Sequence, residues 1–337
     1  MRKEALEYLA CCLCGGRLVT EKAAVRNGTI PGGKLLCRNC GSGFPVVHGR
    51  PVIMRRNSVR RWKAPLDEVL GLEKVEPPLS IPVLAKMGVD KALELAEEVR
   101  IRCESVPESN EPICGVTEKE AAEIKFRLTG EWFEHGTRKE RLLDFPWNGE
   151  SGNSFSCFMR RVLETGGETL VDIASGGGFG VSHQVFLNDY LKRVFAVERD
   201  LKCLGNIQYR FRYIDRDDRS EAVGGDVRNL PLGNGKIDTA MMLQALHEIN
   251  SISKMLMEVH RVLKKGGSFV VLVTEKPFTE GLIPLDEYRR FALATDLYSG
   301  WERFQSQAEE CGFGVVASER LKGGKSGAYR RLISLVK

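Results

Sequence analysis

The feature that most constrains this chain is a glycine-rich loop set between an apolar run and a helix-forming stretch. Residues 169–174 run into Ser175-Gly176-Gly177-Gly178, and residues 179–191 follow with helical composition. Glycines there let a ligand approach the backbone closely, at the carboxyl end of a strand, where open α/β sheets bind ligands. The alternation then repeats. Residues 193–197 read as a strand and 201–211 as a helix. Strands follow near 221–225, 237–243 and 268–274, with a helix at 252–263. Strands alternating with helices predict a parallel sheet covered on both faces. The end differs: a helix near 298–311, then 314–318, Gly323-Gly324 and 329–336, predicts a closing antiparallel pair.

A glycine loop alone does not select a ligand, because dinucleotide enzymes also use one. Their fingerprint needs a third glycine three residues after the second. Counted from Gly178 that position is Val181, and counted from Gly180 it is His183, so the fingerprint fails in both frames. The stretch instead resembles motif I of class I S-adenosylmethionine-dependent methyltransferases, an acid followed by a short glycine-rich run. Asp172 occupies the acid position, and Ala174 stands where the motif usually has its first glycine.

Two more acids fall in register. Glu198 ends the second strand, 20 residues beyond Gly178, and Asp226 follows the third. A single acid at a strand end is most simply a surface carboxylate; three aligned with a glycine loop are not. The resemblance implies that Glu198 accepts from the ribose hydroxyls and Asp226 from the adenine amino group. It implies a cofactor site of Asp172, Ala174, Ser175, Gly176, Gly178, Glu198, Arg199, Asp226, Val227 and Gln244. Residues 236–249 and 258–269 are similar to the ubiquinone/menaquinone methyltransferase branch. The resemblance covers about 168–336, half the chain. The fold it implies is α/β: a doubly wound, mostly parallel, seven-stranded Rossmann-like sheet.

Of ten cysteines, five lie in the first 40 residues, and the others are scattered singly. Cys11 and Cys14, 22 intervening residues, then Cys37 and Cys40 make two CxxC knuckles. Four thiolates so spaced suit a structural zinc with no open position; a redox pair is the competing reading. Gly15-Gly16 and Gly41 permit the tight knuckle turns, and Cys12 is a spare. With the following segment 44–53, this region resembles the small zinc-binding activator subunits of tRNA, rRNA and release-factor methyltransferases. It also resembles the ribbon heading the bacterial rRNA guanine-N1 methyltransferases, which lack this second CxxC.

At 337 residues the chain has room for two units and a connector. The expected divisions are a zinc ribbon at 1–55, a basic and helical connector or substrate lid at 56–165, and the methyltransferase domain at 166–337. The connector holds helical composition at 86–103, a capping box at Thr117-Glu118-Lys119-Glu120, and an aromatic patch with Trp132, Phe133, His135, Phe145 and Trp147. Arg55, Arg56, Arg60, Arg61 and Lys63, with Trp62, form a stripe that suits either a solvated face or RNA phosphates and a stacked base. No run of 18 apolar residues spans a membrane and no secretory signal is evident, so the expected location is cytoplasmic.

Methyl transfer from a sulfonium needs alignment more than it needs a base. His247, after the fourth strand, is the one catalytic candidate, although a packing histidine is the simpler reading; His183 and His135 are weaker. Residues 243–246 read Leu-Gln-Ala-Leu, which lacks the Asn/Asp-Pro-Pro-aromatic motif of amino-methylating enzymes. No Pro-Cys pair supports a cysteine-nucleophile mechanism. Three functions remain: an RNA methyltransferase, the leading expectation; a small-molecule methyltransferase of quinone or other metabolites; and a non-catalytic cofactor-binding adaptor. The ribbon is also a candidate surface for a protein partner.

Overall fold

A computed structural model of the chain describes residues 1–21, 25–55, 154–213, 218–249, 251–275, 296–322 and 329–337, with isolated positions Asp90, Arg216, Pro284, Asp286, Arg290 and Leu293. The helix at 86–103, the capping box, the aromatic patch and the basic stripe beyond Arg55 lie outside the described residues.

The N-terminal unit is an antiparallel sheet in the order β1-β2-β3-β4, from Leu18–Glu21, Gly33–Cys37, Gly43–Val47 and Arg50–Pro51. The larger unit is a sheet of seven strands in the order β10-β11-β9-β8-β5-β6-β7. Its strands β5 (Thr169–Ile173), β6 (Arg193–Glu198), β7 (Ser220–Gly224), β8 (Ile237–Leu243) and β9 (Leu263–Thr274) pair in parallel. The last two, β10 (Gly314–Lys322) and β11 (Tyr329–Val336), pair antiparallel to one another, and β11 runs antiparallel to β9. The expected mostly parallel sheet with a closing antiparallel pair is therefore the observed one. All five residues of β5 and of β7 are buried, as strands covered on both faces must be.

The described helices are α1 (Ser154–Glu164), α2 (Phe179–Leu187), α3 (Leu201–Tyr213), α4 (Ile252–Val262) and α5 (Trp301–Glu310). In α4, Ile252, Met255, Leu256 and Val259 recur at helical spacing and are all buried, so one stripe seals the helix to the sheet. In α1 the same spacing buries Phe155, Phe158, Met159 and Val162. This helix falls in the stretch read as connector, yet it packs on β9, β11 and α2. Helix α2 stops at Leu187, short of 191, where Asn188 turns extended.

The strand order reverses between β5 and β8, so the loops after these two strands diverge and leave a crevice. At the far edge, β7 does not meet solvent alone. Val52 bridges Gly224 in parallel, and the Ile53 amide donates to the Gly224 carbonyl at 2.8 Å. The N-terminal unit thus covers an edge strand that would otherwise expose its hydrogen-bonding groups. Leu9, Ile30 and Ile53 share one apolar cluster with Phe195, Val197 and Val223, and Tyr8 lies 5.4 Å from the Phe195 ring. No helix among the described residues is long and apolar enough to cross a membrane.

Candidate functional site

The loop after β5 is shaped by backbone as much as by side chains. Ala174 has φ 54° and Gly176 φ 53°, both left-handed. The glycine preference at Ala174's position in the resembled motif therefore has a physical reason: alanine is held there at a cost of roughly 1–2 kcal/mol. Gly178 plays a different part from the one expected. It caps α2 at φ 77°, and a Cβ there would lie 2.8 Å from Ile207, so its smallness serves helix packing.

Carboxylates close over this loop. Glu198 accepts from the Gly176 amide at 2.7 Å and from the Asp200 amide at 2.9 Å. Asp172 accepts from the Ser175 hydroxyl at 2.5 Å, while its other oxygen, Oδ1, is buried with no hydrogen-bond partner. Burial pushes the Asp172 carboxyl up to about 7, opposed by the Ser175 bond and reinforced by nearby Glu198. Burial likewise raises Glu198. Asp226 is 2% exposed and is gripped by the Arg228 guanidinium at 2.6 Å, a partner two residues on that sequence reasoning did not single out.

These residues border one cavity of 210 Å³, with walls that include Ala174, Gly176, Glu198, Arg199, Asp226 and Val227. A second cavity of 270 Å³ adjoins it. Both are lined by Ala174, Ser175, Leu243 and Gln244, so these four residues form a shared wall. Asp172 lines the second cavity, and Gly178 lines neither. Phe155, Phe179 and Leu272 make the second cavity largely apolar, and Arg330 supplies a cation. No motif in the sequence marked this second set, because its members come from α1, α2, β9 and β11.

Gln244 has φ 57°, and its carbonyl oxygen accepts from Thr274 at 2.7 Å, leaving a buried amide nitrogen with no partner. His247, the expected catalytic candidate, lies in a short 3-10 helix and lines neither cavity. Burial lowers its pKa, and a Glu248 carboxylate oxygen lies 4.0 Å from its Nε2. His183 packs against Phe179, with ring centroids 4.6 Å apart, and His135 lies outside the described residues.

S-adenosylmethionine fits what is present. Glu198 at the end of β6 can accept from ribose hydroxyls, Val227 and Asp226 border the same cavity, and Asp172 Oδ1, in the adjoining cavity, has no hydrogen-bond partner and would suit the amino-acid ammonium.

The sulfurs of Cys11, Cys14, Cys37 and Cys40 all lie within 4.8 Å of one another, with Cys11 to Cys40 at 3.7 Å and Cys14 to Cys37 at 3.5 Å. A tetrahedron with metal–sulfur bonds of about 2.3 Å has edges of roughly 3.8 Å. Gly15 and Gly41 take φ 68° and 73° in the two knuckles, the left-handed turns that the glycines were expected to allow. Cys12 is not part of the cluster, and burial pushes its thiol up to about 12.

The methyltransferase-domain family matches residues 171–271. A ubiquinone/menaquinone biosynthesis C-methyltransferase of Marinomonas is 25% identical over 191 residues, 47% of this chain and 71% of that protein. A 2-phytyl-1,4-naphtoquinone methyltransferase of Nostoc punctiforme is 28% identical over 114 residues, 33% of this chain and 48% of that protein. Among solved structures, a SAM-dependent methyltransferase from Aquifex aeolicus covers 53% of this chain and 88% of its own, at 19% identity and TM-score 0.42. Residues 171–271 are thus similar to methyltransferase domains, and the protein is an S-adenosylmethionine-dependent methyltransferase.

Proposed function

We propose that the methyl acceptor is a small, largely apolar ring compound of the quinone type, and that the N-terminal unit is a ribbon holding one structural zinc. The observation that carries the acceptor reading is the second cavity, which shares a wall with the cofactor cavity and is bounded by Phe155, Phe179, Leu243 and Leu272. Aromatic and aliphatic walls with few polar groups suit a flat apolar ring. The relatives' names point the same way, since they are quinone methyltransferases. The RNA acceptor expected from the ribbon and the basic stripe finds no support among those relatives, and of the stripe only Arg55 is described.

When bound, S-adenosylmethionine supplies a methyl group already activated on a sulfonium. The chain's own residues then have two tasks. Glu198, Asp226 and Asp172 hold the donor in one pose, and Phe155 and Phe179 hold the acceptor ring against the shared wall while excluding water. Gln244 sits in that wall with an amide nitrogen free to donate to an acceptor oxygen, which orients the ring.

Phe155→Ala tests this reading. It should raise the KM for a quinone-type acceptor about tenfold and leave the affinity for S-adenosylmethionine within about twofold, because Phe155 is an apolar wall that does not border the cavity of Glu198 and Asp226. An unchanged KM would remove the acceptor site from this place.

A further inference from the structure

Beside its apolar walls, the acceptor cavity is bordered by an arginine on β11. Arg330 stands opposite Thr274 in the antiparallel register of β11 and β9. One of its guanidinium nitrogens donates to the Ser154 hydroxyl at 2.7 Å. That partner is neutral, and Arg330 makes no ion pair among the described residues. Other cations of this edge are matched: Glu275 holds both Arg331 and Arg320, and Glu319 holds Arg161. A guanidinium beside an apolar cavity without a counter-charge costs free energy, and an anionic oxygen entering that cavity offsets the cost.

A second donor is fixed on the other side of β9. The Thr274 hydroxyl donates to the Gln244 carbonyl oxygen at 2.7 Å, and the Gln244 backbone amide donates to the Leu272 carbonyl at 2.8 Å. With its oxygen so held, Gln244 keeps Nε2 buried without a hydrogen-bond partner. A buried N–H is left unpaired only at a cost, so this nitrogen too calls for an acceptor. Among the residues lining the cavity, Gln244 and Arg330 are the two with side-chain N–H groups, and Asp172 is the one carboxylate.

We propose that the acceptor ring carries an anionic oxygen, either a ring carboxylate or an ionised ring hydroxyl, held between the Arg330 guanidinium and the Gln244 amide. This inference rests on the acceptor reading of the cavity, and it makes Arg330 the residue that selects an acidic ring over an uncharged one. Asp172 borders the same cavity, and the ammonium of the donor offsets its charge, so the anion binds best with the cofactor in place.

The test is isothermal titration of the full-length protein saturated with S-adenosylhomocysteine, the demethylated donor. The probes are 1-naphthoate against uncharged 1-naphthamide, and pentafluorophenol, ionised at neutral pH, against uncharged pentafluoroanisole. The anion of at least one pair should bind about fivefold tighter or more. Preference in the first pair identifies a carboxylate, and preference in the second an ionised hydroxyl. Arg330→Gln keeps a donor for Ser154, so it should fold, erase the preference and leave the uncharged rings within about twofold. Gln244→Glu keeps the bond from Thr274 and replaces the donor with a carboxylate, so it should weaken the anion about tenfold. Phe155→Ala should weaken charged and uncharged rings alike. Equal binding of anion and uncharged ring, or a preference that survives in Arg330→Gln, would overturn the proposal; the acceptor cavity itself still stands if Phe155→Ala weakens both rings. No ring binding, or binding indifferent to Phe155→Ala, would overturn the acceptor reading together with the proposal.

Discussion

The Ile53 amide donates to the Gly224 carbonyl at 2.8 Å, two residues before Asp226 in the chain. On the other side of the same loop, the Ala10 amide donates to the Pro231 carbonyl at 3.1 Å, and the Gly233 amide to the Tyr8 carbonyl at 2.7 Å. The four-cysteine unit thus brackets the segment carrying Asp226 and Val227. Cys11 follows Ala10 directly, so the first CxxC knuckle is one residue from the hydrogen bond that holds the far end of this loop.

Loss of the proposed zinc should therefore be felt at the cofactor. Cys37→Ser, or chelation, is expected to weaken S-adenosylmethionine binding about tenfold or more, because the Asp226 segment loses its supports. Calorimetry beside metal analysis checks this, and unchanged affinity in metal-free, folded protein would contradict it.

The carboxylates of the β5 and β6 ends should be individually necessary. Glu198→Gln removes charge while keeping shape, and should lower cofactor affinity by about tenfold, as expected for a charge-assisted hydrogen bond. Asp172→Asn should do the same, with the fold retained in both variants. Equilibrium titration reads the result directly.

Stability should fall as pH rises through neutrality. Asp172 and Glu221 are each pushed up to about 7, chiefly by burial. Between an ordinary carboxylate pKa of about 4 and these folded values, the native chain holds protons that the unfolded chain releases. Their contribution is fully present at low pH and is lost as pH climbs past about 7. The melting temperature should drop between about pH 5 and pH 8, and Asp172→Asn should flatten that slope. Parallel curves for variant and unaltered protein would refute the assignment. Cofactor affinity should run the opposite way over the same window, since the ammonium partner favours ionised Asp172.

Two small residues of the glycine loop should respond differently. Ala174→Gly relieves a left-handed alanine at φ 54° and should leave cofactor affinity within about twofold. Gly178→Ala meets both φ 77° and the Ile207 side chain, and should destabilise the fold by roughly 1–3 kcal/mol. Denaturant melts of both variants check the contrast.

The sheet and the carboxylate set were legible because local signals suffice there. Apolar runs mark strands buried on both faces, and an acid at a strand's carboxyl end must border the crevice of a parallel sheet. The cysteine spacing was legible for a similar reason, since a CxxC knuckle is local. The docking of Val52 on Gly224 was not legible, because nothing in residues 50–53 names a partner about 170 residues away. Nor was the second cavity, whose Phe155, Leu272 and Arg330 converge only through tertiary packing. His247 was singled out by its place after β8, but a short 3-10 turn takes it off both cavity walls, where Gln244 remains.

The most direct test of the central claim is transfer of a labelled methyl from S-adenosylmethionine into a cell extract, followed by separation into solvent-extractable metabolites and RNA. The account predicts label in the metabolite fraction, unaffected by ribonuclease and reduced by Phe155→Ala. Label confined to RNA, and lost on ribonuclease treatment, would contradict it.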